Sequence, residues 1–295
     1  MDKNTYRKGL ISTITCSILW GFLPIYWNSL KPIPSSVIIF YRIFLMSLTC
    51  FLICLYKERS LRGVFEDFFV DRKKMIILTL AGLLLTANWS IYIFTVNAGF
   101  IIQTSLGYFI EPLIICLFGM VIYKEKTNKY KKIAIVFSFI GLVFMIVGKR
   151  ELPLISIALA LFFAGYAAIK KSIVLNPFQS LLYETVFIAP IALLVVFYLE
   201  GTGQGGLIYG GGKFGLLLFS GLATAVPMGL FSYGANKIPL ITLGLTQYIS
   251  PSIALILGIF LFKEGFDKTQ FISFVIIWIG LIIFTYGEVV DNRER

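Results

Sequence analysis

Ten long apolar segments, separated by short breaks rich in charged or turn-forming residues, dominate the sequence. A helix needs about 20 apolar residues to cross the hydrocarbon core of a bilayer, and each segment is close to that length. Because β-barrel strands would alternate in polarity instead, the pattern predicts an all-α integral membrane protein with ten transmembrane helices. The predicted spans are 9–30, 35–56, 75–96, 101–123, 131–148, 153–170, 179–199, 214–235, 240–262 and 270–287.

The composition agrees with this class and excludes much chemistry. Hydrophobic residues make up 58% of the chain and charged residues 14%, against about 45–50% and about 25% in soluble proteins. The absence of histidine from the sequence excludes Ser-His-Asp triads and HExxH zinc sites. The glycine-rich segment 201–213 lacks the lysine motif of a nucleotide-binding loop. We therefore expect no catalytic residue, no metal and no cofactor.

The distribution of basic residues predicts the orientation. Of the 26 Lys and Arg residues, 19 fall on one side of the predicted spans and 6 on the other, and Arg42 lies within a span. Basic loops face the cytoplasm, so both termini are expected there, in a bacterial inner membrane. This also explains the net charge of +11 without nucleic acid as a partner.

The second half of the sequence repeats the first at one constant displacement, without a gap. Asn97 aligns with Asn236, Pro112 with Pro251, and the Lys-Glu pair at 124–125 with the pair at 263–264. Five spans in each half is an odd number, so the second half enters the membrane inverted. We expect two five-helix repeats, 9–148 and 153–287. Inverted repeats are typical of secondary transporters, although channels and membrane enzymes can also be duplicated.

Several runs of residues resemble a known family. They are LGYFIEP at 106–112, Asn88-Trp89, Tyr41-Arg42, Glu184, FSYGANKIPL at 231–240 and LGLTQYISP at 243–251. Together they resemble the RarD branch of the EamA-type drug/metabolite transporters, over nearly the whole chain. The resemblance implies a ten-helix inverted carrier that moves small metabolites, including amino acids, often outward. The chain departs from the family's motif at Glu111, where the resemblance implies an asparagine.

Three ionisable residues lie within predicted spans: Arg42, Glu111 and Glu184. Such groups are expensive in a bilayer unless they are paired or hydrated. From a rise of 1.5 Å per residue, Arg42 and Glu111 lie about 10 Å and about 15 Å below the outer face. We expect them to form an ion pair that lines the cavity or, alternatively, one that only fixes helix packing. Glu184 is interpreted either as a proton acceptor or as a group hydrogen-bonded to backbone or to a tyrosine.

Other polar, aromatic and proline residues complete the predicted site. Pro112 and Pro251 occupy matching positions in spans four and nine, where each removes a backbone donor; they are predicted hinges or ordinary kinks. We interpret the remaining residues as a pocket for a small polar metabolite with an apolar part, although single aromatic residues often anchor a helix at the membrane interface. They are Asn88, Trp89, Asn97, Tyr108, Tyr233, Gln247 and Tyr248.

These features predict a secondary carrier of a small organic metabolite, for example an amino acid or a related compound. Its partners would be the solute and the lipid bilayer, with protons as one coupling alternative beside exchange and facilitated diffusion. Rocking of the two five-helix halves about a midplane cavity would give alternating access. Export is favoured by the family resemblance only. The alternatives are a channel and a structural subunit of a membrane complex.

Overall fold

The computed structural model describes residues 2–97, 101–149, 154–263 and 267–294. These ranges hold α-helices, one short 3-10 turn at Leu207–Tyr209 and no strand. The helices are α1 (Lys3–Ser29), α2 (Ser35–Glu58), α3 (Leu61–Val70), α4 (Arg72–Asn97), α5 (Ile101–Val121), α6 (Lys129–Lys149), α7 (Leu154–Ser172), α8 (Pro177–Thr185), α9 (Ile188–Gly201), α10 (Gly211–Ala235), α11 (Leu240–Gln247), α12 (Ile249–Phe260) and α13 (Lys268–Glu294).

The helices confirm the all-α membrane class but not the count of ten. Eight segments are long and apolar enough to cross a membrane, with α11 and α12 counted together, or nine when the bent pair α8–α9 is one span. Within the described residues α5 contributes only a shorter apolar helix, Leu106–Val121.

A short helix, α3, lies in the connector that the sequence left without structure. Ser60 caps it by accepting a hydrogen bond from the backbone N–H of Gly63, 3.4 Å from its Oγ. Val64 and Phe68 are fully buried, whereas Leu61 and Phe69 are exposed. The helix therefore packs one apolar face onto the bundle, too short to cross a bilayer itself.

Two spans are broken, each just before a proline. α8 and α9 meet at 63°, and α11 and α12 are separated at Tyr248. Pro190 and Pro251 are each the third residue of the helix that follows. Proline lacks an amide hydrogen and its ring clashes with the carbonyl four residues earlier, which interrupts the helix. Of the two predicted hinges only Pro251 lies at a break, because α5 runs through Pro112 uninterrupted.

The helices of the two halves are interleaved. The most extensive contacts pair α6 with α13, α5 with α7, and α10 with both α1 and α2. Each of these pairs joins a helix from the first five predicted spans to one from the last five. Rocking of the two five-helix halves would therefore have to rearrange these contacts.

Close helix contacts at glycines recur at the displacement of the sequence repeat. A Cβ on Gly82 would overlap the carbonyl oxygen of Glu184, and a Cβ on Gly221 would meet the carbonyl of Leu45. The displacement that aligns Asn97 with Asn236 also aligns Gly82 with Gly221 and Leu45 with Glu184. Exchanging the halves therefore converts one contact into the other, as a two-fold axis would. The same relation links two further pairs of close contacts. The contact of Gly141 with Ser273 corresponds to that of Gly280 with Ala134, and the contact of Gly148 with Thr269 corresponds to that of Gly287 with Tyr130.

An unusual backbone conformation also recurs at this displacement. Lys124 and Lys263, each following the end of a helix, have φ angles of 50° and 53°. Non-glycine residues rarely adopt this left-handed conformation, which commonly ends helices. The chain therefore leaves α5 and α12 by the same kind of turn.

Candidate functional site

Arg42 lies between two tryptophan rings. Its guanidinium carbon is 5.2 Å from the ring centroid of Trp27 on α1 and 4.4 Å from that of Trp89 on α4. Both distances are within the range of cation–π attraction. The Nε atom is buried and has no hydrogen-bond partner in the described part of the chain. The cation is thus stabilised by the two rings, while this donor remains unused.

Three tyrosines lie near Arg42 and its two tryptophans. Among the described residues, the titratable groups that interact electrostatically with Arg42 are Tyr26, Tyr92 and Tyr108. The rings of Tyr92 and Tyr108 are 6.1 Å apart, which is within contact range for aromatic pairs. Tyr108 is 46% exposed, so the cluster is open on the side of α5. We call Arg42, Trp27, Trp89, Tyr92 and Tyr108 the Arg42 cluster.

The predicted ion pair between Arg42 and Glu111 is not formed. Within the described residues no salt bridge or hydrogen bond joins the two side chains. Glu111 follows Tyr108 by three residues on α5 and interacts electrostatically with that tyrosine, whereas Arg42 turns to the indole rings. Helical depth placed the two charges at similar levels but did not fix the direction in which each side chain points. Glu111, 8% exposed, therefore lies beyond Tyr108 as a separate acidic group.

Asn88 fixes the helix that carries Trp89. Its side-chain amide donates a 2.8 Å hydrogen bond to the carbonyl oxygen of Leu159 on α7. This bond joins α4 to α7 next to the Arg42 cluster. The structure thus gives Asn88 a positioning contact with the backbone. Asn97 ends α4, and its side chain lies outside the described residues.

A second ionic site lies between α7 and α8. The Lys170 ammonium donates hydrogen bonds of 2.5 Å to Glu184 Oε1 and to Ser180 Oγ. Tyr166 Oη donates to Glu184 Oε2 at 3.1 Å, and Ser180 Oγ donates to Glu184 Oε1 at 2.8 Å. Side-chain exposure is 1% for Lys170 and 0% for Glu184. The carboxylate is therefore held by one cation and two hydroxyls, out of contact with solvent.

Sequence reasoning expected a tyrosine near Glu184 as one alternative, and Tyr166 supplies it. It did not single out Lys170, the last residue of the predicted span 153–170, which α7 buries. The spacing held a signal: Tyr166 and Lys170, like Ser180 and Glu184, are four residues apart and so share a helix face.

The break between α11 and α12 brings predicted site residues of two spans together: Gln247 and Tyr248 at the break, and Pro112 on α5. Tyr248 is fully buried and its hydroxyl donates to the carbonyl of Phe109, at 3.2 Å. That carbonyl lies one turn before Pro112, where proline weakens the helix's own bonding. Gln247 is 3% exposed, and its amide nitrogen has no hydrogen-bond partner. α5 and the broken span are thus joined at their prolines, and Gln247 presents an unused donor there.

The remaining predicted residue, Tyr233, lies elsewhere. The ammonium of Lys237 is 3.1 Å from its ring centroid, near the end of α10. This pair belongs to the end of the bundle at which α1 begins.

The same end of the bundle holds an ionic cluster that sequence reasoning missed. Lys131 on α6 and Glu288 on α13 form a 2.5 Å salt bridge. Lys131 also donates to Thr242 Oγ1 at 3.1 Å, and Tyr6 donates to Glu288. These contacts link α1, α6, α11 and α13.

Glu125 caps α11 at this end of the bundle. Its carboxylate accepts hydrogen bonds of 2.7 and 3.0 Å from the first two backbone N–H groups of that helix, at Leu240 and Ile241. A negative charge is stabilising at a helix N-terminus, where the backbone donors have no partner within the helix. The acidic residue of the repeated Lys-Glu pair therefore has a structural role in the first half.

A family model describes both halves of the chain. The model of the EamA-like transporter family matches residues 7–147 and, a second time, residues 152–286.

Curated proteins are similar over almost their full length. An uncharacterized transporter named YojE from Bacillus subtilis is 34% identical over 289 residues, covering 97% of this chain and 96% of that one. Protein RarD from Streptomyces exfoliatus is 32% identical, covering 99% and 92%. Protein RarD from Escherichia coli K12 is 26% identical, covering 100% and 99%.

A solved crystal structure has a similar fold. It superposes with a TM-score of 0.70 at 14% identity, covering 94% of this chain and 97% of that one. At this identity the likeness concerns the fold alone.

Proposed function

The chain belongs to the EamA-like transporter family and is of the RarD type, and from this premise we propose that it is a secondary carrier that exports a small organic metabolite. It is a multi-pass membrane protein of a bacterial family. We place it in the inner membrane with both termini in the cytoplasm, where the excess of basic residues directs them. The spans would number ten, with α5 crossing as the shorter helix. Residues 9–148 and 153–287 would be its inverted repeats.

The reciprocal glycine contacts are the observation that carries this proposal. The contact of Gly82 with Glu184 becomes the contact of Gly221 with Leu45 when the two halves are exchanged. Two halves that make equivalent contacts can exchange conformations at little energetic difference, which gives inward-open and outward-open states around a central site. Because the halves interleave, the moving bodies would each contain helices from both repeats.

The Arg42 cluster and the helix break beside Gln247 would line the path of the solute. The cluster offers an unpaired cation between aromatic faces, and Gln247 offers an unpaired amide donor. Polar groups inside a membrane are expensive, so those without a partner in the protein are suited to contact a solute. Glu111 and the Lys170–Glu184 pair are the candidate groups for proton coupling.

Counterflow in proteoliposomes tests the proposal. Purified protein would be reconstituted, the vesicles preloaded with one unlabelled candidate solute, and uptake of the labelled solute followed. A transient accumulation above equilibrium is expected of a carrier, because the solute leaving on one side drives uptake from the other. Equilibration without overshoot would indicate a channel. Arg42→Gln should abolish the overshoot, whereas Arg62→Gln on the exposed face of α3 should leave it unchanged.

A further inference from the structure

We propose that Arg42 binds the carboxylate of a singly charged organic anion, which identifies the substrate class of the carrier function proposed above and rests on it. Arg42 is the eighth residue of α2, about 10 Å along the helix axis from its start. Among the described residues no carboxylate pairs with it. A cation within a membrane span is costly without a counter-ion. A bound anion would remove that cost.

The geometry of the guanidinium favours a carboxylate. The guanidinium carbon lies over two indole rings, and indole offers no conventional hydrogen-bond acceptor to the N–H donors of the group. The Nε atom is buried without a partner. An arginine edge with free donors matches the two oxygens of a carboxylate and can form two parallel hydrogen bonds. The rings hold the fork in place before the solute arrives, which lowers the entropy lost on binding.

The number of charges favours a monoanion. A phosphomonoester carries about 1.5 to 2 negative charges near pH 7, more than the one cation of this cluster neutralises. The groups near Arg42 in the described structure are tyrosines, which are neutral at that pH. Within the Arg42 cluster the ammonium group of a zwitterion would meet only neutral tyrosines, since Glu111 lies beyond Tyr108 and outside the cluster. One carboxylate leaves the loaded cluster neutral.

The surroundings provide room for an apolar body. Tyr108 is 46% exposed, Trp27 and Tyr92 are partly exposed, and Trp89 is 8% exposed. The cluster is therefore closed at Trp89 and partly open at Trp27, Tyr92 and Tyr108. An aromatic or aliphatic group attached to the carboxylate would contact these rings and remove their surface from water.

Tryptophan fluorescence of the purified full-length protein tests the inference, because two of its four tryptophans flank the site. The probes are phenylacetate, its neutral amide phenylacetamide, zwitterionic phenylalanine, and inorganic phosphate. Phenylacetate is expected to change the emission with a saturable, millimolar dependence, and the other three should bind at least about tenfold more weakly, the loss expected when a charge-assisted pair is removed. Trp27→Phe or Trp89→Phe should reduce the signal.

Variants assign the effect to the guanidinium. Arg42→Gln should weaken phenylacetate binding about tenfold or more, and Arg42→Lys, which keeps the charge but loses the planar fork, should weaken it less. Arg62→Gln, exposed on α3, is the control and should bind as the unmodified protein does. Because Arg42→Lys retains the buried cation, it keeps the test informative if Arg42→Gln does not fold.

Each other outcome overturns the inference. Equal binding of the acid and its amide would show that charge is not recognised, and unchanged binding by both Arg42 variants would place the anion elsewhere. Tighter binding of phenylalanine or of phosphate would assign the site to a zwitterion or a dianion, and the absence of any response to phenylacetate would remove the site. This titration is made at equilibrium, so a failure of counterflow with intact phenylacetate binding would refute the carrier and not the anion site.

Discussion

The hydroxyl of Tyr248 donates a hydrogen bond to the carbonyl oxygen of Phe109, the residue 139 positions earlier in the chain. Asn97 and Asn236 are separated by the same distance along the sequence, so Tyr248 and Phe109 are counterparts in the two halves. Two counterparts that touch lie beside the axis that exchanges the halves. α5 and the broken span α11–α12 therefore meet at the centre of the molecule.

Tyr248→Phe removes this bond and little else. The side chain is fully buried, and the Phe109 carbonyl would lose a partner where Pro112 already weakens the helix. We expect a loss of about 1–2 kcal/mol in the free energy of unfolding, seen as a lower midpoint in thermal unfolding of the detergent-solubilised protein. Tyr56→Phe, at a residue 88% exposed, is the control and should leave the midpoint unchanged.

Gly82→Ala should destabilise the protein because a Cβ there overlaps the backbone carbonyl of Glu184. Overpacking of this kind costs about 1–3 kcal/mol or more, since backbone must move. Gly215→Ala is the matched control: this glycine also lies in a helix but has open space around it, so alanine should stabilise α10 by up to about 1 kcal/mol. We expect the two variants to shift the thermal unfolding midpoint in opposite directions. An unchanged midpoint for Gly82→Ala would contradict the close crossing of α4 and α8.

Glu184→Gln leaves the Lys170 ammonium buried without a counter-charge. Breaking a buried ion pair in this way costs about 3–5 kcal/mol. Replacing both residues, as Lys170→Met with Glu184→Gln, should recover much of this loss because no uncompensated charge remains. A double-mutant cycle on the unfolding midpoint in detergent measures the coupling; a double variant as unstable as the sum of the two single ones would argue against the pair.

Glu111→Gln and Arg42→Gln should act independently on stability. The two side chains do not pair in the described structure, and any coupling between them would have to pass through Tyr108, an uncharged side chain near pH 7. The prediction is therefore a coupling energy near zero between them, in contrast to the large coupling of Lys170 with Glu184. A coupling energy as large as that of the Lys170–Glu184 pair, measured in the same way, would restore the ion pair that the sequence suggested.

The sequence predicted most of the helical spans along the chain well and the directions of side chains around each helix poorly. Apolar length and the charged breaks located the spans, since burial in lipid fixes both. The depth of Arg42 and Glu111 followed from the helical rise, but which neighbour each side chain meets depends on helix rotation. The pairing of Arg42 with two tryptophans from α1 and α4 could not be read from spacing within one segment.

The sequence also did not predict which polar residues near helix ends are buried. Lys170 ends the predicted span 153–170 and was not predicted to be buried, yet Glu184 on the neighbouring α8 makes its burial possible. Lys131 and Glu288 are buried for the same reason. Tertiary partners decided these positions, and a single sequence reveals such partners only through spacing, as with Tyr166 and Lys170.

The interleaving of the halves has a consequence for biosynthesis. α1 and α2 leave the ribosome first, but their principal partner is α10, which is synthesised after more than half of the chain. The early helices must therefore remain in the bilayer with polar residues not yet covered by their final neighbours, for example Ser12, whose hydroxyl donates to the carbonyl of Leu230 on α10. The nascent chain would thus depend on the translocon or on membrane chaperones until late in translation, and a chain stopped after the first half would expose surfaces recognised by quality-control proteases.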